Sequence, residues 1–194
     1  MRLILASASP RRREFLAACG IAFQVMPAAI DEHPQPHEAA AVYVQRLAMA
    51  KARAIGERGP DTVILGADTI VTRDGLLLGK PQSEDEARWM LSHLSGQWHE
   101  VLTGVAVLAP VRPDRRIGEY TVEVVSSQVL MRQFSLQAIE WYLATGEPLD
   151  KAGAYAVQGL GAALVERVEG SYTNVVGLPL TETLLLLRRC GMAS

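Results

Sequence analysis

The first twelve residues, MRLILASASPRR, constrain this chain more than any other stretch. Leu3, Ile4, Leu5 and Ala6 form an apolar run of buried-strand composition, and the small residues Ser7, Ala8 and Ser9 follow at once. Pro10 fits the first position of a helix, Ser9 its N-cap and Gly20 its C′ position, which predicts a helix over 10–19. Arg11, Arg12 and Arg13 crowd into its first turn. A helix N-terminus carries unpaired N–H groups and the positive end of the dipole, so cations are misplaced there unless an anion joins them. A polyphosphate suits the arrangement, because the guanidinium fork matches phosphate geometry. A solvated charged face is the alternative reading of the three arginines.

The rest of the chain continues in the same idiom. Strands are predicted over 22–27 and 62–67, with Asp68 at the end of the second. Between them, alanines with Val44, Leu47, Ala48, Ala52 and Ile55 at helical spacing predict a long helix over 38–57. Short runs at 70–72 and 76–78 flank Asp74-Gly75, a hairpin signal. Ser83 and Glu86 form a capping box for a helix over 84–94. Long β-like runs at 98–109 and 119–131 are joined by a polar loop at 110–117. Ser135 is expected to cap a helix ending at Gly146, 154–168 reads as β-like, and 179–190 is the closing helix. Such interleaving predicts an α/β fold around a mixed, twisted sheet. With 194 residues, 49% of them hydrophobic, the chain suits one globular domain, 1–194, with room for two lobes.

Composition narrows the partners. A net charge of −2 lacks the basic footprint of a duplex nucleic-acid binder. The longest apolar run near the C-terminus, 184–187, is far below membrane-spanning length, so no membrane partner is expected. Cys19 and Cys190 have no metal-binding or disulfide-framework spacing and read as reduced thiols, which points to the cytoplasm.

Two nucleotide motifs fail on inspection. Gly75 to Pro81, GLLLGKP, is one residue short of a P-loop and has proline where a magnesium-binding hydroxyl belongs, although Lys80 stays a candidate phosphate contact. Gly159-Leu160-Gly161 has no third glycine at dinucleotide spacing. Asp68, beyond a buried strand, stands where open sheets carry catalytic groups, with an ordinary turn aspartate as the alternative. The loop pair Asp31-Glu32 offers hard oxygen ligands for Mg²⁺ or Mn²⁺, or is a solvated turn. His33 and His37 are kept apart by Pro34 and Pro36 and read as surface residues. His99 is expected to be packed and hydrogen-bonded, Trp89 and Trp141 to lie in the core, and Ser171 to Asn174 to form a loop.

Six blocks then occur in order: LASASPRR (5–12), GADT (66–69), GKP (79–81), SGQWHEVLTG (95–104), DKAGAYAVQGLG (150–161) and GSYTNVVGLPL (170–180). Together they resemble the Maf family, named for septum formation inhibition and acting as nucleoside triphosphate pyrophosphatases. The resemblance implies an ITPase-like (Maf/Ham-type) fold, two lobes with a cleft, and homodimers. It implies divalent-metal-dependent hydrolysis of a nucleoside triphosphate to the monophosphate and pyrophosphate, as house-cleaning of the nucleotide pool with a link to cell-division arrest. Lys151 and Gln158 in DKAGAYAVQG look like the dTTP/UTP subgroup. Alternatives are a 7-methyl-GTP enzyme of the same family and a non-enzymatic inhibitor of septum formation that binds nucleotide.

On this resemblance Asp68 matches the proton acceptor, while Arg11, Thr69 and Gln158 match positions linked to substrate choice. The triphosphate is expected to meet Ser7, Arg11, Arg12, Lys51 and Lys80, with Ser9 as helix cap or phosphate donor. Glu32 and Asp68 are expected to hold Mg²⁺ or Mn²⁺. The Gln158 amide, a donor and an acceptor together, suits the pyrimidine O4/N3 edge, with Thr69 beside it. Arg13 falls outside the matched block.

Overall fold

The structure is a computed structural model that describes residues 1–56, 59, 61–109 and 120–192. The expected loop at 110–117 and the last residue of the expected helix 38–57 lie outside the described residues. In chain order the elements are β1 (Arg2–Leu5), α1 (Pro10–Ala18), β2 (Phe23–Val25), α2 (Ala40–Ile55), β3 (Thr62–Arg73), β4 (Leu76–Leu78) and α3 (Glu84–Leu94). Then come β5 (Trp98–Leu108), β6 (Tyr120–Met131), α4 (Leu136–Leu143), β7 (Val165–Glu169), α5 (Tyr172–Val176) and α6 (Leu180–Arg189). The strand order is β2-β1-β3-β5-β6-β7, with β4 on β3. β1 runs parallel to β2 and β3, whereas β4 is antiparallel to β3 and β7 to β6, so the sheet is mixed as expected.

Two compact units share these strands. The first comprises Met1–Asp68, Thr103–Val125 and Gly177–Ser194. Alternation along its strands feeds two cores, because successive side chains point to opposite faces. Leu3, Leu5, Val63, Leu65, Val105 and Val107 pack with Leu16 of α1 and with Leu186 and Leu187 of α6. On the opposite face Ile4, Ala6, Ile64 and Ala106 meet Ala48, Ala52 and Ile55 of α2.

Glycine brings α2 unusually close to that second face. A Cβ on Gly66 of β3 would lie 2.2 Å from the Ala48 carbonyl oxygen, and one on Gly104 of β5 would lie 2.4 Å from that of Val44. Helix backbone therefore sits against strand backbone at both glycines. Lys51 follows Ala48 by three residues, and Asp68 follows Gly66 by two, so both side chains enter the same narrow layer.

The second unit comprises Thr69–Leu102 and Ser126–Val176. Its core joins Val71, Leu78, Val101, Val129 and Met131 to Ala87, Met90, Leu91 and Leu94 of α3 and to Ile139, Tyr142 and Leu143 of α4. The Ser83 hydroxyl accepts from the Glu86 N–H at 3.1 Å and Ser135 from Ala138 at 3.3 Å, so both predicted caps are present. Asp74 and Gly75 both have positive φ, as the hairpin signal requires.

Several expectations are corrected. Asp68 is not at a strand end: β3 runs unbroken to Arg73, because β4 takes over pairing at 71–73 after β1 has stopped at Leu5. Asp68 thus lies beyond the end of the pairing with β1 but inside a strand. Ser9 makes no side-chain cap; its N–H donates to the Ser7 hydroxyl at 3.3 Å instead. The α4 helix stops at Leu143 rather than Gly146. The β-like stretch 154–168 begins at the end of one 3₁₀ turn, Ala152–Ala154, and holds a second at Gly159–Leu164, with β7 beginning only at Val165. Trp89 and Trp141 are each about half exposed, since the buried stripes of α3 and α4 pass beside them.

Candidate active site

The Ser7–Ser9 turn leaves β1 where its pairing with β3 ends, and α1 begins at Pro10. From its first turn Arg12 folds inward and is buried. Its Nε donates to the Gly177 carbonyl at 2.8 Å, and its Nη1 to the Ala67 carbonyl at 2.8 Å and the Ser7 hydroxyl at 3.0 Å. One guanidinium thus ties together the turn, the β3 backbone next to Asp68 and the approach to α6. Arg11 is half-buried beside it, and Arg13 is exposed.

Asp68 is 7% exposed. Lys51 Nζ lies 2.6 Å from Asp68 Oδ1 and 2.7 Å from Glu32 Oε1, so one buried ammonium bridges the two carboxylates. Burial pushes the Asp68 carboxyl above the usual carboxylate range, opposed by Lys51 and Arg12 and reinforced by the charge of Glu32. Burial likewise lowers the Arg12 pKa, with Asp68 and Glu32 pulling the other way.

Glu32 belongs to an exposed loop that α2 holds. The Tyr43 hydroxyl donates to the Glu32 carbonyl at 2.9 Å. Arg46 grips Glu38 with two nitrogens, at 2.6 and 2.7 Å, and donates to the His33 carbonyl at 3.2 Å. Asp31 points elsewhere: its Oδ1 accepts from the His33 N–H at 2.9 Å and meets the ring at 2.6 Å. His33 is the surface residue expected.

The predicted residues Ser7, Ser9, Arg11, Arg12, Glu32, Lys51 and Asp68 therefore share the first unit, whereas Thr69, Lys80 and Gln158 belong to the second. Thr69 follows Asp68 in β3 and is half-buried; Lys80 is exposed in the turn after β4. The Gly153 N–H donates to the Gly79 carbonyl at 3.1 Å, joining the Lys80 turn to the segment that leads to Gln158. Half-buried Gln158 precedes a 3₁₀ turn whose Leu160 and Gly161 N–H groups donate to Glu147, at 3.0 and 2.9 Å. Glu147 also accepts from the Tyr142 hydroxyl at 2.8 Å. His99 is buried as expected, its Nε2 2.7 Å from the Tyr155 hydroxyl.

Sequence reasoning missed Tyr43, Arg46 and Glu38, which brace the Glu32 loop, and Glu147, which braces the turn after Gln158. It also read Ser171 to Asn174 as a plain loop, whereas α5 begins at Tyr172 and the Asn174 amide, wholly buried, donates to the Val101 carbonyl and the Ser127 hydroxyl, both at 2.9 Å. Only the spacing of Tyr43 and Arg46 on the inner side of α2 could have signalled the first brace.

Among the described residues no group of three or more His, Cys, Asp or Glu could hold a metal ion. Glu32 and Asp68 nevertheless fit a divalent cation in one respect: their oxygens converge on a single positive centre, and hard carboxylate oxygens suit Mg²⁺ or Mn²⁺. No described helix is long and apolar enough to cross a membrane.

Residues 2–190 match the family model described as Maf-like protein. A dTTP/UTP pyrophosphatase of Hahella chejuensis (strain KCTC 2396) is 52% identical over 194 residues, covering 98% of this chain and 93% of that protein. A dTTP/UTP pyrophosphatase of Anaeromyxobacter sp. (strain Fw109-5) is 54% identical over 191 residues, covering 98% and 90%. The solved structure of the Staphylococcus aureus Ham1 protein aligns with a TM-score of 0.45 at 12% identity, covering 85% of this chain and 80% of that one.

Proposed function

This chain belongs to the Maf family, and we propose that it hydrolyses dTTP, UTP and related pyrimidine nucleoside triphosphates to the monophosphate and pyrophosphate. The observation that carries the reading is the cluster of buried Asp68, Lys51 and Arg12 with the half-exposed Glu32 carboxylate, in a chain half identical to enzymes bearing that name.

The reaction adds a water oxygen to the α-phosphorus and breaks that phosphorus's bond to the bridging oxygen of the β-phosphate. Pyrophosphate leaves with the bridging oxygen, and the water proton goes to a base. Asp68 is suited to be that base. An exposed aspartate, with a reference pKa of about 3.9, holds a proton poorly at neutral pH, and burial moves Asp68 the useful way. Glu32 and Asp68 would hold a Mg²⁺ or Mn²⁺, which supplies charge neutralisation at the phosphates and acidifies the attacking water. Arg11, Lys51 and Lys80 supply positive charge to the triphosphate. Arg12 fixes the Ser7–Ser9 turn and the Ala67 carbonyl, keeping the phosphate-facing loop in register with Asp68. Gln158 reads the base edge with Thr69 beside it, and Glu147 orients the turn that follows Gln158. The enzyme acts in the cytoplasm as a homodimer, with neither duplex nucleic acid nor membrane as partner.

The test is product analysis over a panel of nucleotides with Mg²⁺ or Mn²⁺. dTTP and UTP should give monophosphate and pyrophosphate in equal amounts, faster than GTP, ATP or 7-methyl-GTP. Release of orthophosphate, or inactivity across the panel, would overturn the reading.

A further inference from the structure

A buried ammonium occupies the point on which the two candidate metal-holding carboxylates converge. Lys51 is 8% exposed and reaches Asp68 Oδ1 at 2.6 Å and Glu32 Oε1 at 2.7 Å. Two full ligand bonds to a divalent cation and two short bonds to an ammonium make the same demand on these oxygens. With Arg12 beside them, two cations balance two carboxylates, so among the described residues this pair has no uncompensated negative charge to attract a metal. Nor, among the described residues, is there a third acidic, histidine or cysteine ligand. Mg²⁺ and Mn²⁺ in such sites draw their remaining ligands from substrate phosphates and water.

We propose that Lys51 is the resident cation of the Glu32–Asp68 pair and that the divalent cation displaces it only when a nucleotide triphosphate comes too. The exchange rests on the pyrophosphatase reading for the identity of the ligand. Displaced from the carboxylates, the ammonium keeps its charge and needs a new anion, which the triphosphate provides. The carboxylates gain a cation of higher charge, and the phosphates gain Lys51. Neither half is favourable alone: metal without nucleotide strands the buried Lys51 ammonium, and nucleotide without metal strands the buried Asp68 carboxylate. Metal and triphosphate therefore bind with strong mutual dependence, and the reciprocity of linkage makes each raise the affinity for the other by the same factor.

The exchange makes a prediction opposite in sign to that for a lysine that supports the metal site. Mn²⁺ binding is measured by the electron paramagnetic resonance of free Mn²⁺, without turnover. The wild-type chain alone should bind at least about tenfold more weakly than with the non-hydrolysable analogue α,β-imido-dUTP. Lys51→Met, lacking the resident cation, should bind Mn²⁺ without nucleotide at least about tenfold more tightly than wild type, although its turnover is lost. Lys51→Gln, which keeps a polar head without the charge, should do the same and guards against misfolding of the first variant. Mn²⁺ affinity that is unchanged or weaker in the folded variants would overturn the exchange, as would wild-type binding equally tight with and without the analogue. Absence of pyrophosphate from every nucleotide would instead overturn the pyrophosphatase reading and leave the free-chain Mn²⁺ comparison intact.

Discussion

Gly66→Ala tests whether the close approach of α2 to β3 is what sets the active-site geometry. The new methyl would sit 2.2 Å from the Ala48 carbonyl oxygen and 2.9 Å from the Ala52 nitrogen, both backbone atoms that no rotamer change can move aside. Restoring van der Waals separation means α2 backing away by about 1 Å. Overpacking of this kind costs about 2–4 kcal/mol of stability. Lys51 lies between the two contact points, so its bond to Asp68, 2.6 Å in the parent, stretches past hydrogen-bonding range. A misplacement of that size costs about 100-fold in kcat/KM, equivalent to about 2.7 kcal/mol of transition-state stabilisation. The assay is paired: urea denaturation and pyrophosphate release from dTTP. Gly104→Ala is the control, since its methyl would meet the Val44 carbonyl about two turns before Lys51. It should lose similar stability but only about tenfold in kcat/KM. Gly66→Ala with wild-type kcat/KM would refute the link between this packing and the site, whatever its stability.

Asp68→Asn should lower kcat by about 10³-fold, and near-normal turnover would remove Asp68 as base. Because burial raises the Asp68 pKa, the folded chain holds that proton more tightly than the unfolded one. The stability so gained is lost as pH rises through the folded pKa, a pH-dependent fall that the Asn variant should lack. His99 carries the opposite sign: burial lowers its pKa from 6.5 to about 4. Stability of about 3 kcal/mol, present above pH 6.5, should drain away as pH falls to 4, and His99→Gln should flatten that limb of the denaturation profile; an unchanged limb would refute it. Arg46→Ala should speed amide exchange at 33–38 by about tenfold and raise KM more than it lowers kcat. Unaltered exchange there would show that the loop is held by Tyr43 alone.

Most of the fold was legible because local signals agreed with one another. The capping box at Ser83, the hairpin at Asp74-Gly75 and the alternating cores of β1 and β3 each need only nearby residues. What failed depended on distant partners. The stretch after Gly153 has β-like composition, yet Leu160 and Gly161 give their N–H groups to Glu147, and the chain winds into a 3₁₀ turn. The apolar stripes of α3, at Ala87, Met90, Leu91 and Leu94, and of α4, at Ile139, Tyr142 and Leu143, left Trp89 and Trp141 outside, so residue type misled where periodicity would have sufficed. Lys51, Glu32 and Asp68 could each be named from sequence, but not the bridge among them, because the loop carrying Glu32 is positioned by the Arg46–Glu38 pair.

The three arginines of the first helical turn show the same division. Like charge at the positive end of a dipole called for an anion, and part of that anion is the protein itself. Arg12 turns away from solvent and faces two carbonyls, a hydroxyl and the charges of Asp68 and Glu32. A lysine could not replace it, since a single ammonium cannot reach acceptors on three separate segments in one plane. Once Arg12 and Lys51 are balanced against the two carboxylates, the excess positive charge of the first unit's site rests with Arg11. On the proposed reading, the roughly four negative charges of a triphosphate exceed what Arg11 offers. A divalent cation makes up most of that shortfall, which is the reason the proposed exchange has metal and nucleotide bind together.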